Sequence, residues 1–219
     1  MSQPISSQTP ETLGAWLGER GEKPYRATQI LKWVHQHFAA DWAAMSNLSE
    51  PLQAGLSEAF DFSTIELARK QGDVDATQKF LWKLRDHQLV ESVLIPASPA
   101  LYGEPSDRHT LCVSTQVGCA YGCTFCASGL DGFKRNLEPA EIIDQVLAVE
   151  RLQGRAGERA INNLVIMGMG EPMANYDNLM SALETLNAEW GANIGARKIT
   201  ISTSGLVPQI KKLAAHPRQ

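Results

Sequence analysis

Three cysteines fall within eight positions, Cys119, Cys123 and Cys126, in the stretch C-A-Y-G-C-T-F-C. A C-x3-C-x2-C spacing forces three thiols onto one tight loop, which is poor packing for a core but good geometry for gripping a metal cluster. Cysteine thiolates are the usual protein ligands of iron–sulfur clusters. An open metal position separates a reactive site from a closed structural one. The spacing therefore predicts a [4Fe–4S] cluster held at three irons, with the fourth iron free to bind S-adenosylmethionine. Zinc is the structural alternative. A closed tetrahedral site needs a fourth nitrogen or sulfur ligand, no histidine lies close in sequence, and Cys112 sits in an apolar run that reads as a strand.

Disulfides fit less well. Met1 to Pro10 is polar, with no basic segment followed by an apolar one, so nothing marks export. Four cysteines in a 219-residue chain without such a signal point to reduced thiols and a cytoplasmic protein. No apolar stretch approaches the length of a membrane span. The net charge of -4 is unevenly placed. Residues 1–66 hold four Lys/Arg against eight Asp/Glu, whereas 67–105 and 106–219 each balance. Nucleic-acid binders are usually more basic, so composition argues mildly against RNA, and any RNA contact must rest on local patches.

The elements that would position the loop come in three groups. Residues 1–62 read as a small helical accessory domain, with helices near Thr12–Leu17 and Tyr25–Ala39 and a third, after a cap within Ser46–Pro51, running to about Phe60. Residues 63–105 read as a β-rich connecting segment with strands at Thr64–Ala68, Thr77–Leu84 and Gln88–Ile95, the last two as a hairpin. Residues 106–219 alternate strand and helix: strands His109–Ser114, Ile161–Met167 and Lys198–Thr203, helices Pro139–Leu152, Tyr176–Asn187 and Val207–His216. Such alternation implies βαβ units with a parallel sheet. Leu164-Val165-Ile166-Met167 is continuously apolar, as a strand buried on both faces should be. In βα barrels the chemistry gathers at the C-terminal strand ends.

All three strand ends carry unusual residues. The first leads into the cysteines. The second ends in Met167-Gly168-Met169-Gly170-Glu171-Pro172, where glycines permit close backbone approach and Glu171 could accept bonds from an ammonium group; a plain turn before a helix is the alternative. The third ends in Ser202-Thr203-Ser204-Gly205, whose hydroxyls could bond a sugar or carboxylate, or simply cap a helix. Glu91 lies inside an apolar strand. Alternation would place it on a solvated face, whereas in a dry cavity it could serve as a base.

These motifs resemble the radical S-adenosylmethionine superfamily, and more closely the RlmN/Cfr family of RNA methyltransferases, favouring the RlmN side. The carriers are the cysteine loop with Phe125, Gly132-Phe133-Lys134-Arg135-Asn136-Leu137, the stretch 167–172, and Ile201-Ser202-Thr203-Ser204-Gly205. Gly21-Glu22-Lys23-Pro24-Tyr25-Arg26 with Gln29-Ile30, and Val90-Glu91-Ser92-Val93, add to them. The resemblance runs over almost the whole chain. It implies an α/β fold, a partial (βα)6 radical-SAM barrel of about three βα units, behind the helical domain and β-hairpin region. It implies methylation of adenosine C2 in 23S rRNA and in some cases tRNA, with an external one-electron reductant such as flavodoxin or ferredoxin. By the same resemblance Cys119, Cys123 and Cys126 ligate the cluster, Gly170, Glu171 and Ser202 contact S-adenosylmethionine, Glu91 is the base, and Cys112 resolves a covalent protein–RNA intermediate.

The family barrel has six units and a methyl-carrying cysteine near its C-terminus, whereas this chain has three units and no cysteine after Cys126. The expectation is a truncated RlmN-like enzyme. The alternative is a non-catalytic cluster- or RNA-binding remnant of one.

Overall fold

In the computed structural model, residues 2–73, 76–97, 106–153 and 159–217 are described. The boundary drawn at residue 105 lies outside them. The chain opens with a two-residue strand β1 (Gln3–Pro4) and helices α1 (Pro10–Gly18), α2 (Tyr25–His35) and α3 (Glu50–Ala59). Thr9 starts α1 with a reciprocal cap: its hydroxyl accepts from the Thr12 N–H, and its own N–H donates to the Thr12 hydroxyl, satisfying two orphan donors at once. Helix α2 buries Ala27, Ile30, Leu31 and Val34 on one stripe. It ends at His35, four residues short of the expected Ala39. There Phe38 turns left-handed at φ 53° and the Ala39 N–H returns to the Trp33 carbonyl at 3.0 Å, a left-handed stop that local periodicity does not reveal.

Strand β2 (Phe60–Asp61) pairs in parallel with β1. Then follow β3 (Ile65–Gln71), β4 (Gln78–Leu84), β5 (Leu89–Pro96), β6 (His109–Cys112), β7 (Gln116–Val117) and β8 (Arg135–Asn136). The rest alternates: α4 (Pro139–Gln153), β9 (Asn163–Ile166), α5 (Tyr176–Asn187), β10 (Ile199–Ile201) and α6 (Val207–Ala214). One six-stranded sheet runs in the order β10-β9-β6-β5-β4-β3. Its β10, β9 and β6 members are parallel, as the βαβ pattern predicts, and β6, β5, β4 and β3 are antiparallel.

The two faces of the sheet differ. Phe80, Trp82 and Leu84 of β4, with Val90, Ser92 and Leu94 of β5, are buried on one face, because a strand's side chains alternate. Helix α4 fills in behind them with Ile142, Ile143, Val146, Leu147 and Val149. The opposite face is more open. Cross-strand partners share a face, so Val93, Cys112, Val165 and Thr200 line up across β5, β6, β9 and β10 on that side. Glu91, two residues before Val93, shares it. The edge strand β10 and the helix α6 after it are only partly covered. Among the described residues, no helix is long and apolar enough to cross a membrane.

Candidate functional site

The strand ends β6, β9 and β10 converge at one end of the sheet. From Val113 the chain leaves β6 and is stitched to the segment after β9. The Val113 N–H donates to the Val165 carbonyl, the Gly168 N–H to the Val113 carbonyl, and the Thr115 and Gln116 N–H groups both reach the Met169 carbonyl at 2.8 and 3.1 Å. This closeness explains the glycines. A Cβ on Gly168 would lie 2.7 Å from the Ser114 hydroxyl oxygen, and one on Gly170 would lie 2.5 Å from the Gln116 Cβ. Gly170 also sits at φ 102°, which side-chain-bearing residues avoid.

Two buried side chains fix the arrangement, and neither was singled out from sequence. The Ser114 hydroxyl donates to the Glu91 carbonyl at 2.6 Å and accepts from the Met169 N–H at 2.8 Å, so one hydroxyl joins β5 to the glycine segment. Gln145 of α4 accepts from the Ser114 N–H and donates to the Ser114 carbonyl, each at 3.0 Å. It also accepts from the Ser92 hydroxyl, which in turn takes the Trp82 indole N–H. Gln116 plays a similar part. Its side-chain oxygen accepts from the Glu171 N–H and the Ala120 N–H, tying the glycine segment to the start of the cysteine loop. A serine and two glutamines carry no sequence signal of such roles; only their partners identify them.

Glu171 is buried and accepts four hydrogen bonds. One oxygen receives the Met173 N–H at 3.0 Å and the Thr203 hydroxyl at 2.6 Å; the other receives the Ser204 N–H and hydroxyl, both at 2.7 Å. Burial alone would raise this carboxyl; the donors from Thr203, Ser204 and Met173 outweigh it and hold the group below the ordinary glutamate range. The Thr203–Ser204 turn is thus bonded within the chain, to the carboxylate of Glu171. Ser202 stands at the same turn, its N–H directed at the Ile166 carbonyl at 3.4 Å.

The cysteine loop contrasts with this density. Cys119 and Cys123 are partly buried and Cys126 is exposed. The Tyr121 N–H donates to the Cys119 sulfur at 3.4 Å, and the Cys126 N–H to the Cys123 carbonyl at 3.0 Å. Bonds from the Ser128 hydroxyl and N–H lower the Cys126 thiol below its usual range, which favours the thiolate that a metal requires. Among the described residues, no three His, Cys, Asp or Glu side chains are gathered closely enough to hold a metal ion. The three thiols share the loop without converging on one point. Their number, the thiolate bias at Cys126 and the 91% exposure of Phe125 suit a loop that closes around a cluster.

On the open face, Glu91 pairs with the Lys79 ammonium at 2.7 Å. Its side chain is 37% exposed, so it is neither fully solvated nor in a dry cavity. Cys112 is partly buried, and burial pushes its thiol up, offset in part by the Met167 backbone. A thiol so placed stays protonated until a base acts on it.

Residues 5–61 match the family described as the ribosomal RNA large subunit methyltransferase N-terminal domain, and residues 113–217 match the radical SAM superfamily. A probable dual-specificity RNA methyltransferase RlmN from Akkermansia muciniphila is 53% identical over 215 residues, covering 98% of this chain and 59% of that protein. A second, RlmN 3 from Opitutus terrae, is 48% identical over 220 residues, with the same two coverages. A crystal structure of a radical SAM methyltransferase from Sphaerobacter thermophilus superposes with a TM-score of 0.88 at 41% identity, covering 99% of this chain and 61% of that one. The chain thus spans about three-fifths of the length of the curated relatives it matches.

Proposed function

The chain belongs to the RlmN family of radical S-adenosylmethionine proteins, and from that premise we propose that it takes part in methylating adenine C2 in RNA. The substrates are 23S rRNA and tRNA, in the cytoplasm, with electrons from a flavodoxin- or ferredoxin-type donor. Residues 1–62 form the accessory helical unit, 63–105 the connecting β segment and 106–219 the half-barrel that carries the chemistry. The observation that carries this reading is the convergence of three strand ends that are distant in sequence. The Ser114–Gln116 segment, the Gly168–Glu171 segment and the Thr203–Ser204 turn are joined by direct hydrogen bonds at one end of the sheet.

In this reading Cys119, Cys123 and Cys126 hold a [4Fe–4S] cluster. The backbone of Gly170, the carboxylate of Glu171 and the hydroxyl of Ser202 would hold S-adenosylmethionine. When bound, the pair supplies a one-electron route to an aromatic carbon that nucleophilic attack cannot methylate. The protein's own groups do the rest. An ammonium group reaching Glu171 would replace the Thr203 or Ser204 hydroxyl, since each can rotate away, while the backbone donors from Met173 and Ser204 remain. Glu91, fixed through its own carbonyl by Ser114 and through its side chain by Lys79, accepts the proton from C2. Cys112 lies on the same face, one strand over, where its thiol would release the RNA by attacking the sulfur of a methyl-carrying cysteine such as the family has and residues 127–219 lack.

The test is anaerobic reconstitution with iron and sulfide, followed by EPR of the reduced protein with and without S-adenosylmethionine. A cluster signal that shifts on adding the cofactor supports the reading. A chain that rejects iron and binds zinc stoichiometrically sinks it. Methylation itself is read as 2-methyladenosine in nuclease-digested RNA with the family's C-terminal cysteine supplied on a second polypeptide, and Glu91→Gln should abolish it.

A further inference from the structure

Beside the cysteine loop lies a cleft of about 490 Å³, lined by His87, Gln88 and Leu89 on one wall and by Val117, Ser128 and Lys134 among others on the second, with Met169 also on its lining. That volume is in the range of small-molecule sites. Its position is informative. Leu89 precedes Glu91 by two residues on β5, so it stands on the same sheet face, and Ser128 follows Cys126 by two. The cleft therefore adjoins both the proposed base and the proposed cluster loop.

The walls are held together. Arg135 donates in bidentate fashion to Glu141, at 2.7 and 2.8 Å, and reaches across to Asp86 of the β4–β5 turn at 2.7 Å. Fork-to-carboxylate geometry of this kind is both strong and directional. The Lys134 N–H donates to the Val117 carbonyl at 3.0 Å, and Gly118, at φ 70°, packs against the Gly132 carbonyl too closely for any side chain. The charge of Arg135 is thus matched by Asp86 and Glu141, whereas no ion pair among the described residues engages Lys134 next to it. Among the described residues, Asp131 is the one acid on the lining. His87, at the lip, is held left-handed at φ 64°, a conformation that glycine or asparagine adopts at lower cost.

The geometry points to a binding site for an RNA nucleotide adjoining the target adenosine. Its base packs on Leu89, Val117 and Met169, its polar edge meets Gln88 and His87, and its phosphate meets Lys134. Sequence-specific proteins commonly read RNA through unstacked, splayed nucleotides, and an enzyme acting on a base must draw it out of its stack. A neighbouring nucleotide held here would keep the target strand in place while its adenine reaches Glu91. The inference rests on the RNA reading above.

The test uses the reconstituted chain and a fluorescein-labelled RNA stem-loop with an unpaired adenosine, followed by fluorescence anisotropy across a salt series. Lys134→Glu should weaken binding about tenfold and lower the salt slope by about one ion, as expected for a lost phosphate contact. Lys198→Glu, beside β10 at the opposite end of the sheet, should leave both unchanged. His87→Ala should weaken binding without changing the slope. A 4-thiouridine placed next to the adenosine should crosslink to residues 87–89 or 127–134. If the chain binds RNA and Lys134→Glu and Lys198→Glu affect it equally, the cleft assignment is overturned and the RNA reading survives. If the unaltered chain binds no RNA, both fall.

Discussion

Two loops at the same end of the sheet are built in opposite ways. The glycine segment at 168–171 is rigid before anything binds: its amides, carbonyls and the Glu171 carboxylate are matched by Val113, Ser114, Gln116, Thr203 and Ser204. The cysteine loop at 119–126 has few internal bonds and exposes Phe125 and Cys126. On the proposed function, the difference follows from what each would hold. Organic groups are recognised by donors and acceptors fixed beforehand, so that binding costs little reorganisation. A metal cluster supplies several strong bonds of its own and can order the loop that ligates it. On that reading one loop draws its shape from the fold, and the other would draw it from the cluster.

Substitutions should separate the two. The largest loss of stability is expected from Gly170→Ala, which meets both an unfavourable φ and a 2.5 Å contact. We expect a loss of about 3 kcal/mol or more, read from urea midpoints, and a wild-type midpoint would refute the account of this glycine. Glu171→Gln should cost about 2 kcal/mol, because an amide cannot accept at both ends of four donors.

Glu171 also gives a pH signature. Its carboxyl titrates lower in the folded protein than in the unfolded chain. Its stabilising contribution is therefore complete above the ordinary glutamate range and is lost as the pH falls through the folded value. The Gln variant should show a flatter acid limb, and an identical limb would place the effect elsewhere. Ser114→Ala strands the Met169 N–H and should cost about 1–2 kcal/mol, with faster hydrogen exchange at that amide. Unchanged exchange there would remove Ser114 as the link between β5 and the glycine segment.

At the small end, Cys119→Ser, Cys123→Ser and Cys126→Ser should each shift stability before reconstitution by no more than about 0.5 kcal/mol, yet abolish iron retention. If any of them instead unfolds the chain, the cysteine loop is structural and the contrast between the loops disappears.

The sequence by itself located the cysteine loop, the glycine segment and the three strand–helix units, because cysteine spacing, glycine placement and hydrophobic period are local properties. The hydrophobic period places helix Tyr176–Asn187 to the residue. Placement also singles out Glu91, Glu171 and Ser202, while Cys112 and the specific role of each come only through resemblance. What the tertiary structure decided was partnership. That Glu171 receives Thr203 and Ser204, that Ser114 joins β5 to Met169, and that Arg135 clamps the β4–β5 turn to α4 are contacts between segments tens of residues apart. A hydrogen bond depends on where two groups end up in space, and serine, glutamine and arginine occur throughout any sequence, so no periodicity marks the ones that meet. The end of α2 at His35 was hidden for the same reason: a left-handed phenylalanine stops it, and Gln36 is then held by the Glu189 and Gly191 carbonyls more than a hundred residues away.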